Sequence, residues 1–322
     1  MPAINIDIEK PRYDQNTFIG RAKHFFLTTN PLNIFATSRQ LEDAKSLVTK
    51  YRLKHPLPPG TTEDDLWRAK ILYDSAFHPD TGEKMFLLGR MSAQVPMNML
   101  ITGGLLAFYN TTSGVLFWQW FNQSFNAMVN YTNRSGDATF TGKQVASSYV
   151  FATTAAVTTA LSLNRLCRNA PPLVGRLTPL AACAAANCVN IPLMRAQELT
   201  NGTPVFDAER NRLGNSKRAA RTGIAQVCFS RISMAVPGMT LTPVLMDYLE
   251  KRGVLKRYPW INLPVQTAFC GVVLIFTTPL ACAFFKQKAQ IAYRKLEPEL
   301  KEQLDKKFGD HPPEYVYYNK GL

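Results

Sequence analysis

Apolar residues in this chain cluster into long runs that are almost free of charge, separated by short, strongly charged stretches. Five runs approach the roughly 20 apolar residues that cross about 30 Å of hydrocarbon. They lie near 96–120, 145–163, 170–194, 224–246 and 263–285, and none contains Asp or Glu. The third and fourth each carry one arginine, Arg176 and Arg231. Soluble core helices are seldom this long and this uncharged. The pattern therefore predicts an all-α, multi-pass helical membrane protein with about five transmembrane helices, in preference to a soluble helical bundle.

Before the first run, residues 1–95 read as a soluble or amphipathic helical amino-terminal region. Thr37 and Gln40 have capping-box spacing ahead of a helix with Leu41, Ala44, Val48 and Tyr51 on one face. The Pro-rich segment 55–60 ends it. Thr62 and Asp65 repeat the spacing before Leu66, Trp67, Ile71 and Tyr73. Residues 96–285 form the expected transmembrane bundle. The carboxyl tail, 286–322, reads as a basic helix continuing out of the last span, with a kink at Pro298, a stop at Gly309 and a Tyr-rich end.

The second span and the run AACAAANC in the third are rich in small residues and hydroxyls. In lipid, helices associate through small residues and interhelical hydrogen bonds, so both spans are expected in the bundle interior. The polar stretch 110–114 either breaks the first span or forms a strip on one face. Basic loops occur on both sides of the spans, so the positive-inside rule leaves the orientation open.

Composition narrows the class only after this segregation is seen. The mean hydropathy of −0.12 is that of an ordinary soluble protein, because charged ends offset apolar spans. The net charge of +14 fits basic loops at anionic lipid headgroups. No zinc spacing or dense basic block points to nucleic acid. The six cysteines form no CxxC pair and read as small apolar residues kept reduced. The amino end lacks an apolar signal core and carries Asp7, Glu9 and Asp14, unlike an acid-poor transit peptide. No nucleotide-binding, zinc-protease or hydrolase motif is present, and no cofactor or metal site is expected.

An ionisable residue inside a span marks a functional site, because exposing it to lipid costs several kcal/mol. Arg231 follows Ser230 and precedes Pro237-Gly238, a pair expected to break the helix and free backbone groups. An arginine clamps a carboxylate through two parallel hydrogen bonds. Asn187 and Asn190 share a helical face and offer donors and acceptors to a zwitterion, or else join helices. With no acid in the spans, an ammonium group would meet carbonyls, amides or hydroxyls, which favours a neutral zwitterion over a cation. The substrate-site candidates are thus Arg231, Asn187, Asn190, Ser230, Pro237 and Gly238. His78-Pro79-Asp80-Thr81 reads as a Pro-Asp turn capping the next helix, with no chemical role assigned.

The chain resembles the sideroflexin family over nearly its whole length. The likeness rests on Asn30-Pro-Leu32, His78-Pro-Asp-Thr81, Asn187-Cys-Val-Asn-Ile-Pro-Leu-Met-Arg195, Gly202-Thr-Pro204, Ser230-Arg231 with Pro237-Gly238, and the ending Tyr318-Asn-Lys-Gly-Leu322, which is similar to the animal branch of serine carriers. The resemblance implies a multi-pass protein of the mitochondrial inner membrane with about five spans. It implies transport of serine, and of alanine, glycine or cysteine, to supply one-carbon metabolism, with an earlier family link to iron read as indirect. The expected partners are small neutral amino acids, chiefly serine, and membrane lipid, with no nucleic acid; a homo-oligomer and protein partners are left open. The competing reading is a membrane-anchored scaffold or assembly factor.

Overall fold

The computed structural model describes residues 6–78, 81–132, 142–166, 171, 174–175, 177–209, 211–286, 288–309 and 313–320. Three short helices open the chain: α1 (Phe18–Thr28), α2 (Ser38–Arg52) and α3 (Glu63–Ala76). Both expected capping boxes form, each with its Thr side chain on the third backbone N–H and the return bond in place. Leu41, Ala44 and Val48 of α2 are buried, and Ala44 and Val48 pack with Leu66 and Ala69 of α3. The amino-terminal region is not separate from the rest: α1 lies on the last apolar helix, where Ala22 and Phe25 cluster with Ala283.

The apolar part comprises α4 (Gln94–Ala107), α5 (Thr112–Thr132), α6 (Gly142–Leu166), α7 (Thr178–Met194), the short α8 (Ala196–Asn201), α9 (Lys217–Lys251) and α10 (Asn262–Ala283). Among the described residues, two helical segments, Lys217–Lys251 and Pro259–Ala283, are long and apolar enough to cross a membrane. The expected first span corresponds to two helices. The chain leaves α4 at Phe108 and re-enters helix at Thr112, because Asn110-Thr-Thr offers side chains that compete with backbone bonds. The Tyr109 carbonyl at this break accepts from Asn164 Nδ2 at 2.6 Å, and Thr178 Oγ1 donates to Asn164 Oδ1 at 2.7 Å, tying the break to α6 and α7. The third span is shorter than expected, α7 beginning at Thr178; Arg176 lies outside the described residues.

Burial in these helices is arranged with amides inside and hydrocarbon outside. On α5, Gln119, Asn122 and Gln123 are buried while Leu116, Phe117 and Trp120 are exposed. On α9, Ser230 and Thr242 are buried while Phe229, Val236, Leu241 and Val244 face outward. On α10, Gln266 and Thr278 are buried while Val272, Ile275 and Phe276 are exposed. A helix on the surface of a water-soluble protein has the opposite arrangement. The small-residue helices do pack together: Ala152, Ala156 and Ala160 of α6 are buried, and Ala160 clusters with Ala182 of α7 and Val115 of α5. The opposite face of α6, with Val150 and Phe151, is exposed, so this helix lies inside the bundle on one side only.

Close approach elsewhere depends on glycine. A Cβ on Gly103 of α4 would stand 2.4 Å from Thr267 Oγ1 and 3.0 Å from Thr267 Cα, so only hydrogen lets α4 lie this near α10.

The chain is not all-α. β1 (Thr203–Phe206), β2 (Arg212–Ser216), β3 (Lys288–Ala292) and β4 (Tyr315–Asn319) form one antiparallel sheet in the order β2-β1-β4-β3. The tail therefore does not continue the last span as a helix. It enters β3, then α11 (Pro298–Phe308), then β4, which fits between β1 and β3. Pro298 is the first residue of α11, where its missing N–H costs nothing, and so produces no kink. Gly309, at φ 56°, does end the helix. Val205, Ala289, Ile291 and Val316 of the sheet and Leu300 and Leu304 of α11 share a core.

Candidate functional site

A cavity of about 50 Å³ lies between the apolar helices. At roughly 10–15 Å³ of such space per water, it holds a group of only a few heavy atoms. Its polar lining consists of Asn98 and Thr102 from α4, Asn122 and Asn126 from α5, Asn187 and Cys183 from α7, and Arg231 from α9. Ile101, Leu105, Met234, Ala235, Met239 and Leu274 complete the wall. Among the described residues no carboxylate lines it.

These amides are only partly satisfied by one another. Asn126 Nδ2 donates to Asn122 Oδ1 at 3.3 Å, and Asn98 Nδ2 donates to the Gln94 carbonyl at 2.8 Å. Asn187 Nδ2 reaches the Cys183 sulfur at 3.7 Å, a weak acceptor. Among the described residues the buried Nδ2 of Asn122 has no acceptor beyond the weak one that the Cys183 sulfur offers. An unbonded buried amide costs about 1–3 kcal/mol, so this donor is set for something other than its neighbours.

Arg231 makes no hydrogen bond and no ion pair with any described residue. A guanidinium carries five donors and stays charged. The described residues of the wall thus present one cation and several amides, the complement of a carboxylate beside neutral polar groups.

Of the residues singled out by sequence, Arg231 and Asn187 meet in this cavity. Asn190 is buried but lies outside the lining, as do Ser230, Pro237 and Gly238. Pro237-Gly238 does not break the helix: α9 runs unbroken through it and through Pro243. Pro237 removes one backbone donor, but the packing of α9 against α7 and α10 keeps the helix intact. Gly238 instead faces Cys270, whose sulfur would be 3.2 Å from an added Cβ. Asn98, Asn122 and Asn126 escaped the sequence reading. Their signal was an amide repeated at four-residue spacing, as in Asn122 and Asn126, inside an otherwise apolar helix.

The His78–Thr81 motif lies in the amino-terminal region. His78 is buried, its N–H donates to the Glu83 carbonyl at 2.8 Å, and its Nδ1 accepts from Thr81 N at 3.3 Å. The turn closes a bridge between Phe77 and Lys84 and does not cap a helix, because the chain returns antiparallel at Gly82 (φ 66°). Lys45 of α2 donates to the Gly82 carbonyl and lies over the Phe77 ring, so the motif ties α2 to the end of α3. Pro79 and Asp80 lie outside the described residues. Among the described residues no cluster of His, Cys, Asp and Glu is arranged to hold a metal.

The family model for Sideroflexins matches residues 7–322. Sideroflexin-1-3 of Drosophila melanogaster is 58% identical over 322 residues, covering 100% of this chain and 99% of its own. Sideroflexin-1 of Homo sapiens is 57% identical over 319 residues, covering 99% and 98%. Sideroflexin-3 of Mus musculus is 56% identical over 320 residues, with the same coverage. No solved structure matches the chain.

Proposed function

Because the chain belongs to the sideroflexin family, we propose that it carries small neutral amino acids, chiefly serine, across the mitochondrial inner membrane by alternating access. The observation that carries this reading is the amide-lined cavity, whose described residues include no acid and an arginine that has no hydrogen-bond or ion-pair partner among them. In it, Arg231 holds the substrate carboxylate, and Asn122 and Asn187 meet the hydroxyl and the ammonium. The small volume favours serine, alanine, glycine and cysteine over larger side chains. Serine carries no net charge, so the membrane potential does little work on it. The flux would feed one-carbon metabolism in the compartment beyond the membrane.

The outward apolar faces of α5, α9 and α10 support a lipid environment for the bundle. In this arrangement α6 and α7 complete the spans near 145–163 and 170–194, and α4 with α5 fills the place of the first. Residues 1–95 and the sheet with α11 lie outside the hydrocarbon. The role is transport, with no bond made or broken in the substrate.

The test is reconstitution of the purified full chain into liposomes with labelled serine. Wild-type uptake should be competed by unlabelled alanine, glycine and cysteine, and Arg231→Ala should abolish it while inserting normally. Uptake by Arg231→Ala equal to wild type removes the arginine from the site. Absence of wild-type uptake for every small amino acid favours the scaffold reading, in which the amino-terminal region binds a partner and the spans anchor it.

A further inference from the structure

The polar wall of the cavity continues past its edge. On α4, Asn98 and Thr102 line the cavity, and Gln94 stands one turn before them on the same helical face. The three residues cover about 12 Å by helix rise. Asn98 Nδ2 donates to the Gln94 carbonyl at 2.8 Å and lies 3.4 Å from Gln94 Oε1, so the two side-chain amides touch. Val95, the next residue, packs with Leu274 of α10, which belongs to the cavity wall. The first turn of α4 therefore borders the cavity, although Gln94 is not part of the lining.

Gln94 is only 5% exposed, and its Nε2 has no hydrogen-bond partner among the described residues. Its oxygen is turned to Asn98, which leaves the donor half of the amide without an acceptor. Ser92, two residues earlier, is wholly buried, and its hydroxyl also has no partner among the described residues. Native proteins leave few buried polar groups unbonded, because the lost water is not replaced. Here two such groups fall within three residues, beside the cavity. The stretch lies under the amino-terminal region: the turn Pro31–Phe35 packs on the turn Met91–Ala93 and on α4, and α3 also reaches Met91–Ala93. Followed past Gln94, the row of amides thus leads from the cavity to the contact between the bundle and the amino-terminal region.

We propose that Gln94, held by Asn98, is an outer station for the carried amino acid, where its Nε2 takes the substrate carboxylate between Arg231 and the compartment that the amino-terminal region faces. The free half of the amide is a donor, so it suits a carboxylate and not an ammonium. The turns Pro31–Phe35 and Met91–Ala93 then form the gate over the station. This deepens the carrier reading and rests on it.

The test compares full-length wild type, Gln94→Leu and Gln94→Asn, with serine uptake measured in liposomes and serine affinity by calorimetry in detergent. Gln94→Leu removes an unbonded donor, so its melting temperature should equal or exceed that of wild type. Because the cavity lining is untouched, serine affinity should stay within about twofold while the maximal uptake rate falls about tenfold. Gln94→Asn keeps an amide and should regain part of the rate. A lower melting temperature, with affinity and rate lost together, would make Gln94 structural and overturn the station. A second measurement does not depend on Gln94→Leu folding. Gln94→Cys in liposomes, treated with a membrane-impermeant methanethiosulfonate and read by mass spectrometry, should be modified about tenfold faster than the wholly buried Cys270, and serine should slow it. Modification no faster than at Cys270 overturns the proposal. If wild type carries no small amino acid, the carrier and the station fall together. If wild type carries serine and Gln94→Leu carries it equally fast, the station alone falls.

Discussion

Arg21 Nε donates to the backbone carbonyl of Ala283 at 2.7 Å, joining the first helix to the end of the last apolar helix across 262 residues. The same guanidinium donates from Nη1 to the carbonyls of Gln15 and Asn16 at 3.0 and 3.1 Å. Near the last turn of α10 the Ala283 carbonyl lacks an intrahelical partner, so Arg21 acts as a side-chain cap from another element. Arg21→Met leaves three carbonyls without this donor. It should destabilise the protein by about 2–3 kcal/mol, release α1 from α10, and make residues 6–30 susceptible to limited proteolysis in detergent. Cleavage no faster than in wild type would show that Phe25 and Ala22 hold α1 unaided.

Asn122 should separate binding from stability. Among the described residues its buried Nδ2 has at most the weak Cys183 sulfur as a partner, so its removal deletes a penalty as well as a donor. Asn122→Ala is expected to leave the melting temperature unchanged or slightly raised while serine uptake falls about tenfold, chiefly through a higher KM. A fall in melting temperature with unaltered KM would make the amide structural.

Gly103 sets the distance between α4 and α10. Gly103→Ala places a methyl group 3.0 Å from Thr267 Cα, a backbone atom that cannot rotate away. The helices must separate, at a cost of about 1–3 kcal/mol, and the cavity wall formed by Asn98 and Thr102 moves with α4. Thr267→Ala relieves only the hydroxyl contact, so the double variant should regain part of the lost stability, not all. Full recovery in thermal melts would place the whole strain on the side chain.

His24 in α1 carries a pH dependence. Burial lowers its pKa below 6.5; Asp74 opposes the shift and Lys70 adds to it. The folded protein therefore favours neutral imidazole, while the unfolded chain takes up a proton near 6.5. Stability from this group is complete above pH 6.5 and declines as pH falls toward the lower folded value, below which both states are protonated and the decline stops. Hydrogen exchange of α1 should quicken over that interval, and His24→Gln should flatten the profile.

Glu297 titrates in a lower window. Its burial favours the neutral acid, but backbone N–H groups led by that of Arg218, with the Ser216 hydroxyl, outweigh it and hold the carboxyl below its usual 4.5. Its contribution is present above pH 4.5 and lost as pH falls through the folded value. Glu297→Gln should loosen α11 from β2 and the start of α9, visible as faster amide exchange at Arg218 and Ala219.

Local chemistry was sufficient for much of the chain. Both capping boxes, the Leu41–Ala44–Val48 stripe, the stop at Gly309 and the apolar stretches that became α6, α9 and α10 depend on residues within a few positions of one another. Arg231 and Asn187 were legible as candidate site residues because a charge or amide in an apolar helix is conspicuous. The sheet was not, because β4 pairs with β1 and β3 through register set by distant segments, and strands of four or five residues carry too little alternation to announce themselves. The same holds for the cavity. Periodicity told that Asn122 and Asn126 share a face of α5, but only the packing of four helices decided that this face meets Arg231. Lys320 is the extreme case: a lysine at the end of a basic tail reads as solvated, and its burial beneath the bundle arises wholly from the seating of β4 and the grip of Arg195. Sequence settles what each segment prefers next to its neighbours; which segments meet is settled by burial and hydrogen bonding over the whole chain, and the candidate site exists only at that level.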